Sequence, residues 1–273
     1  MKLKKLFGCL LLVTTLGTTT SCGDVFGCGG DLSTIIASKK LVVGFEAGYK
    51  PFEYKNSANG QFQGFDIEVS KLIVEEINST DNSNVNVVFK DMNFDGLIGS
   101  LQAKQIDLIV SAFSITDTRK ESVLFSDSYF ESKTVVVTKE SNTSITDFDS
   151  LKNVKLGAQL GTVQGDIISG EDFSSSNQTL TSISNLILAL QSNTLEGLVV
   201  EKPVAEQIIK LQSGLKIIDS IDFGDDGAYG IATNYTIGED LIKIVNSCIK
   251  KNTDNGKLNQ LYQEAANGSL VSD

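Results

Sequence analysis

Short apolar runs alternate with amphipathic stretches along most of this chain, and midway the alternation starts again. Leu41 to Glu46 suits a buried strand, and within Phe65 to Ile77 the residues Phe65, Val69, Leu72, Ile73 and Ile77 share one helical face. Val85, Val87 and Phe89 alternate as a strand, Leu97, Ile98 and Leu101 mark a second helix, and Asp107 to Ser111 predicts another buried strand. After a strand over Thr134 to Thr138, a second series brings a strand over Lys155 to Leu160, helices from Thr162 and from Ile183 to Ser192, and a strand over Gly197 to Val200. Pro203 opens a helix where its missing N–H is not needed. Strands near Lys216 to Ser220 and Tyr229 to Thr233 and helices over Glu239 to Asn252 and Lys257 to Ala265 follow, while the Ser-rich stretch Ser169 to Ser184 predicts a loop. Strands that alternate with helices form parallel sheets covered by those helices, so two such series predict two α/β lobes.

The first thirty residues follow a different physics. Lys2, Lys4 and Lys5 precede an apolar run from Leu6 to Leu16, and small residues lead on to Cys22. That is the pattern of a secretory signal, too short for a stable membrane span. Thr19-Thr20-Ser21-Cys22 resembles a bacterial lipobox with Thr19 in place of the usual leucine, which makes Cys22 the lipidated first residue of the mature protein. Cys28, further from the apolar run, is the alternative. The expected layout is a signal peptide over 1–21, a flexible tether over 22–34 and a site of action on the outer face of the cell membrane.

Lipidation also accounts for the cysteines. Cys9 leaves with the signal, Cys22 is acylated, Cys28 sits in the tether, and Cys248 falls on an apolar helical face as a small buried thiol, so no structural disulfide is expected. Histidine is absent, which removes the commonest general base, the usual catalytic triads and most zinc sites; neither a metal nor a cofactor is expected. The formal charge of −11 repels nucleic acid, and loss of the leader lysines makes the mature chain about three units more negative.

Against 22 lysines the chain has a single arginine, Arg119, in the run Ser111-Ala-Phe-Ser-Ile-Thr-Asp-Thr-Arg119. A guanidinium presents a planar fork that clasps a carboxylate through two parallel hydrogen bonds, which an ammonium does not. Ligands of open parallel sheets sit beyond the carboxyl ends of strands, and the notable polar residues gather there. Glu46 and Tyr49 follow the first strand, Ser111 to Thr116 the third, Gly161 and Thr162 the strand that ends at Leu160, and Glu201 follows Val200. Four strand ends thus converge on one cleft.

These residues resemble the polar amino acid solute-binding proteins of ABC importers, which have the two-lobed periplasmic binding protein type 2 fold. The resemblance runs from about Leu41 to Ala265 and rests on eight segments in the family's order: Tyr49-Lys-Pro-Phe-Glu53, Gly64-Phe-Asp66, Asn93-Phe-Asp-Gly-Leu97, Ser114-Ile-Thr-Asp-Thr-Arg119, Phe125-Ser-Asp127, Leu160-Gly-Thr162, Glu201-Lys-Pro-Val204 and Tyr229-Gly-Ile231. It implies an α/β fold in which each lobe is a mostly parallel sheet flanked by helices, with lobe one formed by 35–132 and 228–273 and lobe two by 133–227. The chain then crosses between lobes near Glu131 to Thr134 and near Phe223 to Tyr229, and the ligand closes the cleft between them.

The same resemblance implies the ligand contacts. Arg119 holds the α-carboxylate of an amino acid, with the hydroxyl and backbone donors around Thr162 and Val163 on the facing lobe. Glu201, where aspartate is more usual, takes the α-ammonium together with the Ser111 carbonyl and the Ser114 hydroxyl, and Ala112 between them is a further ligand-binding residue. Thr116 is either a helix cap or a contact. Tyr49 stacks on the ligand side chain and Phe94 supplies the opposite wall, whereas Phe52 and Phe65 belong to the core. Glu46 and Gln159 stand where the family reads the side chain, and a carboxylate walled by aromatics favours arginine or lysine, then glutamine or histidine. The implied protein is a monomeric, lipid-anchored binding module, not an enzyme, that serves an ABC permease with its ATPase. A ligand-sensing receptor module and a cyclohexadienyl dehydratase or lytic transglycosylase on the same fold are the alternatives.

Overall fold

A computed structural model describes residues 31–170, 172–174, 176–224 and 226–270. The predicted signal peptide, Cys22 and most of the predicted tether lie outside the described residues.

The first series begins with α1 (Leu32–Ser38), capped by the Asp31 carboxylate, and β1 (Lys40–Phe45). A small hairpin of β2 (Tyr54–Lys55) and β3 (Phe62–Gln63) leads into α2 (Phe65–Asp81). Gly64 caps α2 at φ +129, and a Cβ there would lie 2.1 Å from the Phe52 carbonyl oxygen, so only glycine fits this close crossing. Next come β4 (Asn86–Asp91), a 3-10 turn over Phe94–Gly96, α3 (Leu97–Gln102), the two-residue β5 (Leu108–Ile109) and α4 (Asp117–Lys120).

One long strand, β6 (Val123–Lys139), carries the chain into the second series. There α5 (Phe148–Leu151), β7 (Leu156–Gln159), α6 (Val163–Ile168), β8 (Gln178–Leu180), α7 (Ile183–Gln191), β9 (Gly197–Glu201), α8 (Lys202–Leu211) and β10 (Leu215–Ile218) follow. The chain returns along β11 (Asp226–Asn234) and ends in α9 (Glu239–Asp254) and α10 (Lys257–Asn267).

The strands form one sheet in the order β4-β1-β5-β11-β6-β9-β7-β8, with β10 also on β6. Pairing is parallel among β4, β1 and β5 and among β8, β7 and β9, as the alternation requires. It is antiparallel wherever β6 or β11 takes part, because these strands traverse the molecule instead of closing a strand–helix–strand unit. β6 pairs with β11 from Val123 to Lys133 and with β9 from Thr134 to Thr138, and so belongs to both lobes.

Three apolar clusters support this arrangement. The largest joins Phe65, Val69, Ile73 and Ile77 of α2 to Leu241, Val245 and Cys248 of α9; a second gathers Val136, Leu156, Ala158 and Val199 in lobe two, and a third Val42, Leu97, Leu101 and Ile109 in lobe one. Phe52 and Phe65 are core residues, as expected. Phe52 packs at 5.2 Å and 5.4 Å ring separation on Phe130 of β6 and Tyr229 of β11, an aromatic cluster at the crossing strands. Part of the stretch expected to be a loop, Ser169 to Ser184, forms β8, which pairs with β7 through Gly157↔Gln178 and its neighbours.

Candidate functional site

Glu46, Tyr49, Phe94, Ser111, Ala112, Ser114, Gln159, Thr162 and Glu201 line one narrow cleft, together with Glu53. Each occupies a strand end or the turn beyond it: Glu46 after β1, Ser111 after β5, Gln159 at the end of β7, and Glu201 at the end of β9. The strand-end rule therefore brings together residues up to 155 positions apart, from Glu46 to Glu201.

Arg119 lies beside this cleft, is 8 % exposed, and rests with its guanidinium carbon 4.1 Å from the centre of the Phe113 ring and 5.5 Å from that of Phe94. Its Nη1 donates to the Ser114 carbonyl at 2.7 Å and its Nη2 to the Gly161 carbonyl at 2.9 Å. Both acceptors are neutral, so the positive charge is held without a bonded carboxylate among the described residues. Burial lowers its pKa to about 10, with Asp166 and Glu201 opposing that shift through space, and the group stays charged at neutral pH.

Glu46 Oε2 accepts the Phe94 backbone N–H at 2.8 Å and the Gln159 amide at 2.6 Å. Burial nevertheless pushes its carboxyl up to about 7, reinforced by Asp91 and Asp95. The Tyr49 hydroxyl donates to the Glu201 carboxylate, and burial with that adjacent charge raises the phenol well above its ordinary range. Ser111 Oγ accepts the Glu46 N–H at 3.2 Å and donates to Glu53 at 2.7 Å.

Three of these bonds cross the cleft. Glu46 to Gln159, Tyr49 to Glu201 and Arg119 to Gly161 each join a residue before β6 to one after it, so the lobes are closed on each other. Gly161 adopts φ +79, and a Cβ there would stand 3.1 Å from Cα and Cβ of Asp95 on the facing lobe. A side chain there would strain the backbone and press on Asp95 across the cleft.

One expectation changes and one open choice closes. The Thr162 hydroxyl donates to the Gln159 carbonyl at 2.7 Å and accepts the Gly165 N–H at 3.1 Å, so it caps α6 and has no hydrogen left for a ligand carboxylate. Thr116 accepts the Arg119 N–H at 3.2 Å and caps α4, which resolves its role as a cap. Val163 is the first residue of α6 and is half-buried. Sequence reasoning missed Glu53 as a lining residue and Phe113 as the face on which Arg119 rests, although both stand in segments singled out there. Among the described residues no cluster of His, Cys, Asp or Glu could hold a metal ion, and no helix is long and apolar enough to cross a membrane.

Known proteins share this architecture. The arginine-binding extracellular protein ArtP of Bacillus subtilis is 31% identical over 260 residues, 93% of this chain and 96% of its own. A probable histidine-binding protein of Campylobacter jejuni is 30% identical over 81% of each chain. Among solved structures, the amino acid ABC transporter substrate-binding protein AbpA of Streptococcus pneumoniae, bound to L-arginine, superposes with a TM-score of 0.79 at 28% identity, over 88% of this chain and all of that one. The family model of bacterial extracellular solute-binding proteins, family 3, matches residues 41–267, and to that family the chain belongs.

Proposed function

We propose that this protein captures a basic amino acid, L-arginine or lysine before glutamine or histidine, and delivers it to an ABC permease coupled to a cytoplasmic ATPase. The observation that carries this reading is the charge pattern of the cleft: a buried cation without a bonded carboxylate stands at one side, and Glu46 and Glu201 line the other walls. A zwitterion with a cationic side chain complements all three. Arg119 takes the α-carboxylate with the backbone at the start of α6, Glu201 and the Ser111 carbonyl take the α-ammonium, and Glu46 with Gln159 takes the side chain between Tyr49 and Phe94. Relatives named for arginine and histidine binding support the choice of ligand.

The protein binds without chemistry, acts as a monomer on the outer face of the membrane, and is held there by lipid on Cys22. Lobe one comprises 35–132 and 228–273 and lobe two 133–227, a division that the long crossing of β6 supports.

A thermal-shift survey of the twenty amino acids tests the ligand. Arginine or lysine at about a hundred times its dissociation constant stabilises the fold by about 2.7 kcal/mol. A large shift with an aliphatic or acidic amino acid, and none with arginine or lysine, overturns the reading. Metabolic fatty-acid labelling that disappears in Cys22→Ser tests the anchor.

A further inference from the structure

Two carboxyl groups meet at the floor of the cleft, and neither forms an ion pair among the described residues. Glu53 is 1 % exposed and Asp66, in the first turn of α2, is 0 % exposed. Asp66 is richly served: it accepts the Ala112 N–H at 2.6 Å and the Tyr129 hydroxyl at 2.9 Å and 3.0 Å. Glu53 accepts only the Ser111 hydroxyl, on Oε1, while its Oε2 is buried and meets no donor. The backbone sets the two side by side: the Asp66 N–H donates to the carbonyl of Phe52, the residue before Glu53, at 2.9 Å, and the consecutive residues Ser111 and Ala112 donate one to each carboxyl group, so the two are electrostatically linked.

Two ionised carboxylates in such contact, out of water and without a cation, repel strongly, and one proton between them turns repulsion into a hydrogen bond. The donors decide where it resides. Asp66 has donors for a full negative charge, whereas an acid hydrogen on Glu53 would use the oxygen that otherwise has no partner. We propose that Glu53 is a neutral carboxylic acid that donates its hydrogen to Asp66, and that this pair is the positioning device that fixes Ser111 and Ala112 beneath the ligand. The functional half rests on the amino acid-binding reading above.

The surroundings agree. The carboxylates nearest Glu53, Asp66 and Glu46, both favour its neutral form, and only the Ser111 hydroxyl opposes them; the phenols of Tyr49, Tyr129 and Tyr229 are themselves held neutral and bring no positive charge. Burial drives Glu53 well above the usual carboxylate range, and Asp66, eased by its donors, reaches about 6. Ala112 has φ +42, a left-handed conformation that a residue with a Cβ adopts at a cost, and its N–H is the one bonded to Asp66. The carboxylate thus holds a strained turn in place. Through Glu53 the pair also takes the hydrogen of Ser111 Oγ, so that this oxygen can only accept, as it does from the Glu46 N–H, and Ser111 is held against the cleft.

Carboxyl-carbon NMR of protein labelled at glutamate tests the proton directly. One resonance, absent from Glu53→Gln, is expected to stay in the protonated position through neutral pH; a Glu53 signal that titrates in the ordinary carboxylate range overturns the proposal. Affinity for arginine tests the positioning role: Glu53→Ala should lose about ten-fold or more, and Glu53→Gln, whose amide donates to Asp66 and accepts from Ser111, should restore most of it. Folded Glu53→Gln protein as weak as Glu53→Ala overturns that role, and if Glu53→Ala does not fold, a loss above about ten-fold in Glu53→Gln does so. Wild-type protein that binds no amino acid refutes the functional reading instead, and leaves the resonance as the test of the shared proton.

Discussion

Replacement of Glu46 by glutamine isolates one charge. The single oxygen that accepts from both Phe94 and Gln159 has an equivalent in the amide oxygen of glutamine, so the cleft keeps its shape and loses only its negative charge. A guanidinium about 4 Å from that carboxylate gains about 4 kcal/mol at an effective dielectric of 20, and desolvation of both groups offsets part of it. The net loss in Glu46→Gln is about 2 to 4 kcal/mol, or roughly 30- to 1,000-fold in affinity for arginine. A neutral isostere such as citrulline should bind both proteins alike. The acid-base behaviour of Glu46 adds a second signature. With its pKa at about 7, the carboxyl is mostly protonated at pH 6, and a cationic ligand must displace that proton. Wild-type affinity for arginine should therefore rise about ten-fold from pH 6 to pH 8, with proton release visible as a buffer-dependent heat, whereas Glu46→Gln should show a flat profile. The effect on stability has the opposite sign: a carboxyl raised in the folded state favours folding at low pH, so Glu46 lowers the stability of the free protein as pH rises from about 4.5 through 7. Titration calorimetry that finds equal arginine affinity in both proteins and no pH dependence in the wild type refutes this account.

Arg119→Ala should weaken amino acid binding by about 2 to 5 kcal/mol, since the ligand carboxylate would be buried without a partner, and Arg119→Lys should recover little because an ammonium cannot reach the Ser114 and Gly161 carbonyls in one plane; calorimetry checks both. Gly161→Ala should reduce affinity by about 1 to 2 kcal/mol through strain at φ +79 and contact with Asp95, and solution scattering should show less compaction on ligand addition than in the wild type. Phe52→Ala, at the centre of the aromatic cluster on β6 and β11, should destabilise the fold by about 3 to 5 kcal/mol in denaturant unfolding.

Much of this was legible where one physical signal dominates. The helical face from Phe65 to Ile77 is the buried face of α2, and the apolar run from Leu41 is β1, because burial imposes periodicity directly. β8 escaped notice because Gln178, Thr179 and Leu180 are all half-buried at a sheet edge and carry no alternation. Only the buried tract from Thr134 to Thr138 announced β6; its first half mixes buried and exposed positions and is held by backbone pairing with β11, which composition does not encode. Likewise, the run Asp107 to Ser111 predicts a full strand, but backbone bonds to β1 end at Val110, where the chain turns through the left-handed Ala112 and brings Ser111 to the cleft. The cleft residues were legible through strand ends, whereas the bonds across the closed lobes depend on tertiary geometry. The commitment of the Thr162 hydroxyl to α6 and the contact of Glu53 with Asp66 are further examples.

β6 and β11 lie side by side through the middle of the molecule, joined by a ladder from Val123↔Asn234 to Lys133↔Asp226. A pair of laced ribbons bends readily across its flat face, while sliding one along the other would break every rung together. The lobes are therefore free to bend and twist about this ribbon but not to slide past each other, like a book on a cloth spine, so opposite pages meet again near the same lines. Any surface that feels only the outer edges of the covers can then tell a filled book from an empty one by how far apart those edges stand.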